Sequence, residues 1–532
     1  MQLSNKYIFN KKGADDLENF IIAQIAFNEL QNKVPEILGK PILCHSCGAA
    51  VVDISFIKDI PPVGLHFICD FCNSLNKIDE NQFNVLKTLQ KGVIEYFEEM
   101  QKKQVITDRI VACIDISGSM QGAYLNSVKN SLIETLKDLS VNSPESSFAL
   151  ITFTDWITLY NSSGEEIITL HDEVLYDKDK ISRIFEEAQF QFKPIKDTYK
   201  NWINLIANLR AISSTALGPA VIGGVSLLKG GGRVILLTDG LSNIGVGSLQ
   251  GYPRTGTSTF YKELGQQCRD KGIMIEIVGV SDSCNTSIEL ESIGEMARLT
   301  GGDIYFVDVN ELNRTFDALS QTDMLGKKVN VRLILPKNVV LKDSSGDVLF
   351  RNENQGLEAH MGYVNPDRKF CVSLGLINDR PVNEEIPLQV QIEYISMDGK
   401  KRKRIYQDKI IVTDKKETVV DNFQSEVSDE FYTQKSAELG KIGQEAAGIK
   451  NLKAYTDRLR IYQEMARGDK KQRFARSAEL MTKEAEDMDK LRSERSKDMR
   501  YMRFQSRLSY GTSGDLRQSL RTTRQTRTIK GE

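Results

Sequence analysis

Between Val105 and about Ser320 the chain alternates short apolar runs with amphipathic stretches, and this alternation constrains the fold more than any other feature. The runs RIVACID, FALITFT, RVILLTD, IMIEIVGV and DIYFVD are apolar nearly throughout, as in strands buried on both faces. Between the first two, YLNSVKNSLIETLKDL places Leu125, Val128, Leu132, Leu136 and Leu139 on one helical face. Further helices are expected near Ser182, Ala216, Phe260 and Leu290. Strands alternating with helices predict an α/β domain over residues 105–320, a doubly wound parallel sheet covered on both faces.

The rest of the 532 residues must form further units, because one core does not usually grow to this size. Residues 1–40 contain LENFIIAQIAFNELQNKV, where Phe20, Ile21, Ile25, Leu30 and Val34 recur at spacings of three and four, which predicts a helical segment. A four-cysteine module follows over 41–80, and FNVLKTLQKGVIEYFEEMQKKQ predicts a connecting helix over 81–104. Past Leu325 the runs VNVRLILP, VVLKD, KFCVSLGLI, PLQVQIEYIS and RIYQDKIIVT follow one another with turns such as SSGD and MDGK, which predicts a β-sandwich over 325–415. Ala, Glu, Lys, Leu and Arg then dominate a helical region over 425–500, and residues 501–532 are polar and basic enough to predict a disordered tail.

Charge and cysteine usage bound the function. A formal net charge of −2 creates no global attraction to nucleic acid, and no specific nucleic-acid partner is expected. From Lys490 to Glu532, twelve Lys or Arg stand against four Asp or Glu, so any pull toward an anionic membrane is local. Neither a signal-peptide pattern nor an apolar run of membrane-spanning length is present, which places the chain in the cytoplasm.

The C-x-x-C pairs Cys44–Cys47 and Cys69–Cys72 are separated by 21 residues. Two thiolates on each of two knuckles close a tetrahedral Zn²⁺ with no open position, a structural site of the zinc-ribbon type. The scattered Cys113, Cys268, Cys284 and Cys371 are expected to be structural. His45 and His66 lie near the pairs but are not needed as ligands.

The strongest local signal is Asp115-Ile-Ser117-Gly-Ser119, directly after RIVACI and directly before an amphipathic helix. Oxygen side chains then stand at the carboxyl end of a strand, where open α/β sheets bind ligands. Thr215 in SSTALGPA and Asp239 in RVILLTDG add two donors from neighbouring loops. Such a set suits Mg²⁺ or Mn²⁺, hard cations that take oxygen ligands and keep some water. Classical catalytic arrangements, including G-x-S-x-G, Walker A and kinase sets, are absent from the sequence, so an enzyme is not expected.

Residues 105–310 resemble a von Willebrand factor type A domain with a metal-ion-dependent adhesion site. The resemblance implies that Ser117, Ser119 and Thr215 supply hydroxyl ligands, that Asp115 and Asp239 act directly or through water, and that the open position takes a partner's acidic side chain. The domain order, together with CDFCNSLNKI, FYKELGQQCRDKGIMIEIVGVSDSC and LQVQIEYISMDGKKRKRI, is also similar to the inner-shell subunits of the COPII vesicle coat. The leading expectation is an intracellular scaffold or adaptor whose cation grips a partner carboxylate. The alternative is a divergent COPII-like coat or cargo-sorting subunit, peripheral at the endoplasmic reticulum membrane, with an anionic membrane or a small GTPase as partner.

Overall fold

The computed structural model describes residues 1–10, 20–52, 57–60, 64–80, 83–84, 93–99, 109–212, 214–240, 242–249, 255–280, 289–307, 324–346, 348, 350–353, 356–492 and 497–510. The chain is multidomain, with an α/β unit inserted into a β-sandwich. The strand Val93–Glu98 leads into the α/β unit and Gly326–Ile334 leads out, and both belong to one eight-stranded sheet.

In the α/β unit, Arg109–Asp115 lies at the centre of a seven-stranded sheet, between Ser147–Phe153 and Gly232–Thr238 and parallel to both. Ile273–Val280 and Ile304–Val307 extend the parallel part. The other edge differs from the all-parallel expectation. Ile157–Tyr160 and Glu166–Leu170 form an antiparallel hairpin on Ser147–Phe153, because a short turn at Asn161–Gly164 returns the chain without a crossover helix. Each face of the sheet has its own apolar core. One core packs around Val111, Cys113 and the helix Leu217–Leu228, and the other around Ile110, Ala112 and the helix Ala123–Asn142.

The N-terminal segment is not helical. Phe20–Ala26 is a strand that pairs with Gln2–Leu3 on one side and Lys369–Leu376 on the other. Ile21, Ala23 and Ile25 enter the sandwich core, while Ile22 packs on Val427 and Phe431 of the helix Ser425–Lys441. A strand buried on both faces is a continuous apolar run, which spacing alone does not separate from a helix.

The connecting-helix expectation over 81–104 is corrected in the same way. Val93–Glu98 is a strand between Lys401–Thr413 and Glu36–Leu38, while residues 85–92 and 100–104 lie outside the described set. Glu95, in the middle of this strand, is a carboxylate of the kind that normally marks a solvated face. Here it is buried, accepting from Arg404 Nε at 3.0 Å, Arg402 Nη1 at 2.8 Å and Tyr394 Oη at 2.7 Å. Burial raises the Glu95 carboxyl, but the Arg404 and Tyr394 hydrogen bonds outweigh it and hold the group below its ordinary value.

The C-terminal helices are Lys416–Asn422, Ser425–Lys441, Glu445–Met465, Asp469–Arg492 and Lys497–Tyr510. The last replaces the expected disorder over 501–510. Its Tyr501, Met502, Phe504 and Leu508 are buried, and Asp498 Oδ1 accepts the Leu290 N–H of the α/β unit at 2.9 Å. The remainder of the expected tail, 511–532, lies outside the described residues. No helix among the described residues is long and apolar enough to cross a membrane.

Candidate functional site

Four of the five expected oxygen donors form one hydrogen-bonded chain at the carboxyl edge of the α/β sheet. The Ser117 and Ser119 hydroxyls are 3.0 Å apart, and Ser119 donates to Asp239 Oδ1 at 2.9 Å. Asp115 Oδ1 accepts the Ser117 N–H at 2.8 Å and Asp115 Oδ2 accepts the Thr238 hydroxyl at 2.6 Å. Adjacent oxygens of an octahedral Mg²⁺ shell, with bonds of about 2.1 Å, lie roughly 3.0 Å apart, so Ser117, Ser119 and Asp239 have the spacing of one edge path of such a shell. Both carboxylate oxygens of Asp115 already accept from protein donors, and each keeps a further lone pair for a bound water or a cation.

Thr215 reaches the same rim through its backbone. Its N–H donates to Asn243 Oδ1 at 2.9 Å and its carbonyl accepts from the N–H groups of Asn243 and Ile244. No side-chain hydrogen bond joins it to the other four donors among the described residues. The loops around it are stitched together: Thr154 O accepts the Ala216 N–H at 2.7 Å, and Ile116 O accepts the Ile212 N–H at 2.7 Å. A Cβ added at Gly218 would stand 2.0 Å from Val246 O, so only glycine lets the loop after Asp239 lie against the helix that Thr215 precedes.

Burial governs the electrostatics. It raises Asp115 to about 7 against the lowering effect of the Ser117 and Thr238 hydrogen bonds, and the charge of Asp239 pushes in the same direction. Asp239 is also raised by burial, against the hydrogen bond from Ser119. Two carboxylates held up in this way are poised to gain from a cation, which favours both charged forms.

The second centre is the four-cysteine cluster. The sulfurs of Cys44, Cys47, Cys69 and Cys72 all lie within 4.8 Å of one another, and two pairs, Cys44–Cys72 and Cys47–Cys69, are at 3.5 Å. Zn–S bonds of about 2.3 Å in a tetrahedron put sulfurs roughly 3.8 Å apart, so the cluster is compatible with zinc. Two matching knuckles build it. Gly48 N–H donates to Cys44 O and Asn73 N–H to Cys69 O, with Gly48 and Asn73 in the left-handed region at φ 74° and 59°.

Residues that the sequence reading missed surround both centres. The Ser74 hydroxyl lies 3.0 Å from Cys44 Sγ and 3.1 Å from Cys72 Sγ, and Asn76 Nδ2 is 3.6 Å from Cys44 Sγ. His45 and His66 lie off the sulfur cluster, bonded through Nδ1 to Asn76 Oδ1 and the Gly64 carbonyl. Gln391 Nε2 donates to Gly48 O at 2.9 Å, and Gln389 pairs with both backbone groups of Ala50, which fastens the first knuckle to the sandwich. Small polar residues two or more positions from a ligand carry no spacing signal, and Thr238 was hidden in the strand end RVILLTD. Of the scattered cysteines, Cys113, Cys268 and Cys371 are buried, and Cys284 lies outside the described residues.

Comparison with known proteins assigns the α/β unit. Residues 111–325 match the Sec23/Sec24 trunk domain. The chain is similar to Circularly permutated Ras protein 1 of Dictyostelium discoideum, 24% identical over 488 residues, covering 82% of this chain and 56% of that protein. Protein transport protein SEC24 of Eremothecium gossypii is 21% identical over 459 residues, covering 78% of this chain and 50% of its own length. The chain therefore spans about half the length of these curated relatives. In fold it is like the human COPII-coat protein Sec24c, with a TM-score of 0.72 at 15% identity over 97% of this chain and 74% of that one. The protein thus shares the fold of the human COPII-coat protein Sec24c, and its α/β unit matches the Sec23/Sec24 trunk domain.

Proposed function

We propose that this chain is a non-enzymatic, Sec24-like adaptor of a COPII-type vesicle coat that sorts cargo at a membrane surface. The carrying observation is the reach of the fold likeness, which extends over 97% of the chain and 74% of the human COPII-coat protein Sec24c at a TM-score of 0.72. It supports the coat reading better than the soluble scaffold suggested by the adhesion-site motif alone. The partners it implies are a trunk-bearing coat subunit, a small GTPase and cargo tails.

Within that role the trunk's strand ends hold Mg²⁺ or Mn²⁺ through Ser117, Ser119, Thr215 and Asp239, with Asp115 acting through water. The cation would supply an open coordination position for an acidic side chain of the bound protein. Support comes from the 2.9 and 3.0 Å oxygen spacings and the two carboxylates raised by burial. Cys44, Cys47, Cys69 and Cys72 would hold Zn²⁺ as a structural clip. The test is binding of purified full-length chain to a Sec23-type partner, measured with Mg²⁺ and with chelator. Complex formation in both supports the adaptor. Loss of an acidic cargo peptide in chelator alone supports the cation site.

A further inference from the structure

The hairpin of helices Glu445–Met465 and Asp469–Arg492 ends in a tip whose surface none of these roles uses. Its interior is filled by Phe423, whose ring stands 5.3 Å from Tyr462 and 6.1 Å from Phe474, so the terminal turns are braced from within. Outside, Ile461 is 47% and Met465 39% exposed, two large apolar side chains one turn apart at one end of the hairpin. The same turns carry Arg467, Lys470, Lys471, Arg473 and Arg476, of which Lys470 is half-buried and the others exposed. Only Glu464 and Asp469 oppose these five charges between residues 461 and 476. None of the five forms an ion pair with another described residue.

The position of these charges works against the helix. Lys470, Lys471 and Arg473 stand in the opening turns of Asp469–Arg492, where the macrodipole favours acidic groups. Basic residues there cost local stability, and an external anionic surface would offset that cost.

We propose that this hairpin tip docks on an anionic lipid bilayer, with Ile461 and Met465 entering the interface and the basic residues meeting the headgroups. Apolar and basic side chains on the turns that flank one helix connection match an interfacial anchor, whereas a soluble anion would use the charges alone. A discrete phosphate pocket fits less well. Arg473 and Arg476 border a cleft of about 390 Å³, but Glu426 lines it too and would repel a bound phosphate. The proposal stands on the hairpin and not on the cation site, so either can fail without the other.

The experiment is flotation of the full chain with phosphatidylcholine vesicles, with and without phosphatidylserine, at low and physiological salt. Wild type should bind only the anionic vesicles and weaken as salt screens the contact. The triple variant Lys470→Glu, Lys471→Glu, Arg473→Glu should lose about tenfold or more in partitioning, yet melt no lower than wild type, because acidic residues suit that helix start. Ile461→Ser with Met465→Ser should weaken binding without changing its salt dependence. A full-length variant with Arg517, Arg521, Arg524 and Arg527 replaced by Gln should keep most of the binding. The idea is overturned if the triple variant floats like wild type, if the C-terminal arginine variant alone abolishes binding, or if inorganic phosphate at matched ionic strength displaces the protein.

Discussion

Ser119 donates its hydroxyl proton to Asp239 across 2.9 Å, joining the loop after the central trunk strand to the end of its neighbour. In the cation-bound state both oxygens would turn to the metal instead, so this bond marks where metal and protein compete for the same lone pairs. A melting-temperature titration with Mg²⁺ or Mn²⁺ should therefore rise in wild type by the amount set by RT ln(1 + [L]/Kd). Asp115→Ala and Asp239→Ala should give flat titrations. Each variant should melt at or above wild type without metal, since a buried carboxylate held above its ordinary pKa opposes folding when charged.

The zinc module should carry one Zn²⁺ per chain by elemental analysis. Cys44→Ser or Cys72→Ser should release it and expose the module to protease, because structural zinc contributes roughly 10 to 16 kcal/mol of apparent binding energy in small modules. Ser74→Ala should leave the metal bound but loosen it by about 10-fold or more, since this hydroxyl contacts the sulfurs of both Cys44 and Cys72. Competition with a chromophoric chelator separates the two outcomes.

Asp429 supplies a pH dependence. Burial raises its carboxyl to about 7, against hydrogen bonds from Ser477 and Tyr455 and with the charges of Glu426 and Glu430. Its folded pKa lies above the unfolded value near 3.9, so between about pH 4 and 7 the native state holds a proton that the unfolded state has lost. Stability from this group is therefore full below about pH 4 and falls as pH rises to 7, by roughly 2 to 4 kcal/mol. Asp429→Asn should flatten that slope in urea midpoints followed by helical signal. An unchanged slope would mean that the carboxyl is already charged at pH 5.

The Glu95 network anchors the strand that leads into the trunk. Arg404→Met should destabilise the sandwich by about 3 kcal/mol, because removing one partner strands a buried charge. Replacing Glu95, Arg402 and Arg404 together by Gln, Met and Met should cost less than Arg404→Met alone. Urea unfolding of the three proteins gives the comparison.

How much of this was legible in sequence depended on burial geometry. The helix from Ala123 to Asn142 has one covered face, so Leu125, Val128, Leu132, Leu136 and Leu139 could be read as a face and are all buried, while the trunk strands, apolar nearly throughout, showed through their alternation with helices. Phe20–Ala26 is covered on both sides, and its period vanished. The burial of Glu95 was not legible because its neutralising partners Arg402 and Arg404 lie some 300 residues away in sequence. In the site, Asp115, Ser117, Ser119 and Asp239 were visible because strand ends and loop spacing bring them together. Thr238, Asn243, Ser74 and Gln391 were not, since each acts through a contact that only the tertiary fold creates.

The central claim, that this chain serves as a Sec24-like coat adaptor, is tested most directly by GTPase-dependent recruitment. Purified protein is incubated with neutral phosphatidylcholine liposomes, which the hairpin tip alone should not bind, together with a Sec23-type subunit and a small GTPase of the coat loaded with a non-hydrolysable GTP analogue, and the membranes are floated. Recovery that requires both the GTPase and the partner subunit is the predicted result. Recovery that is absent, or equally strong without either of them, would contradict it.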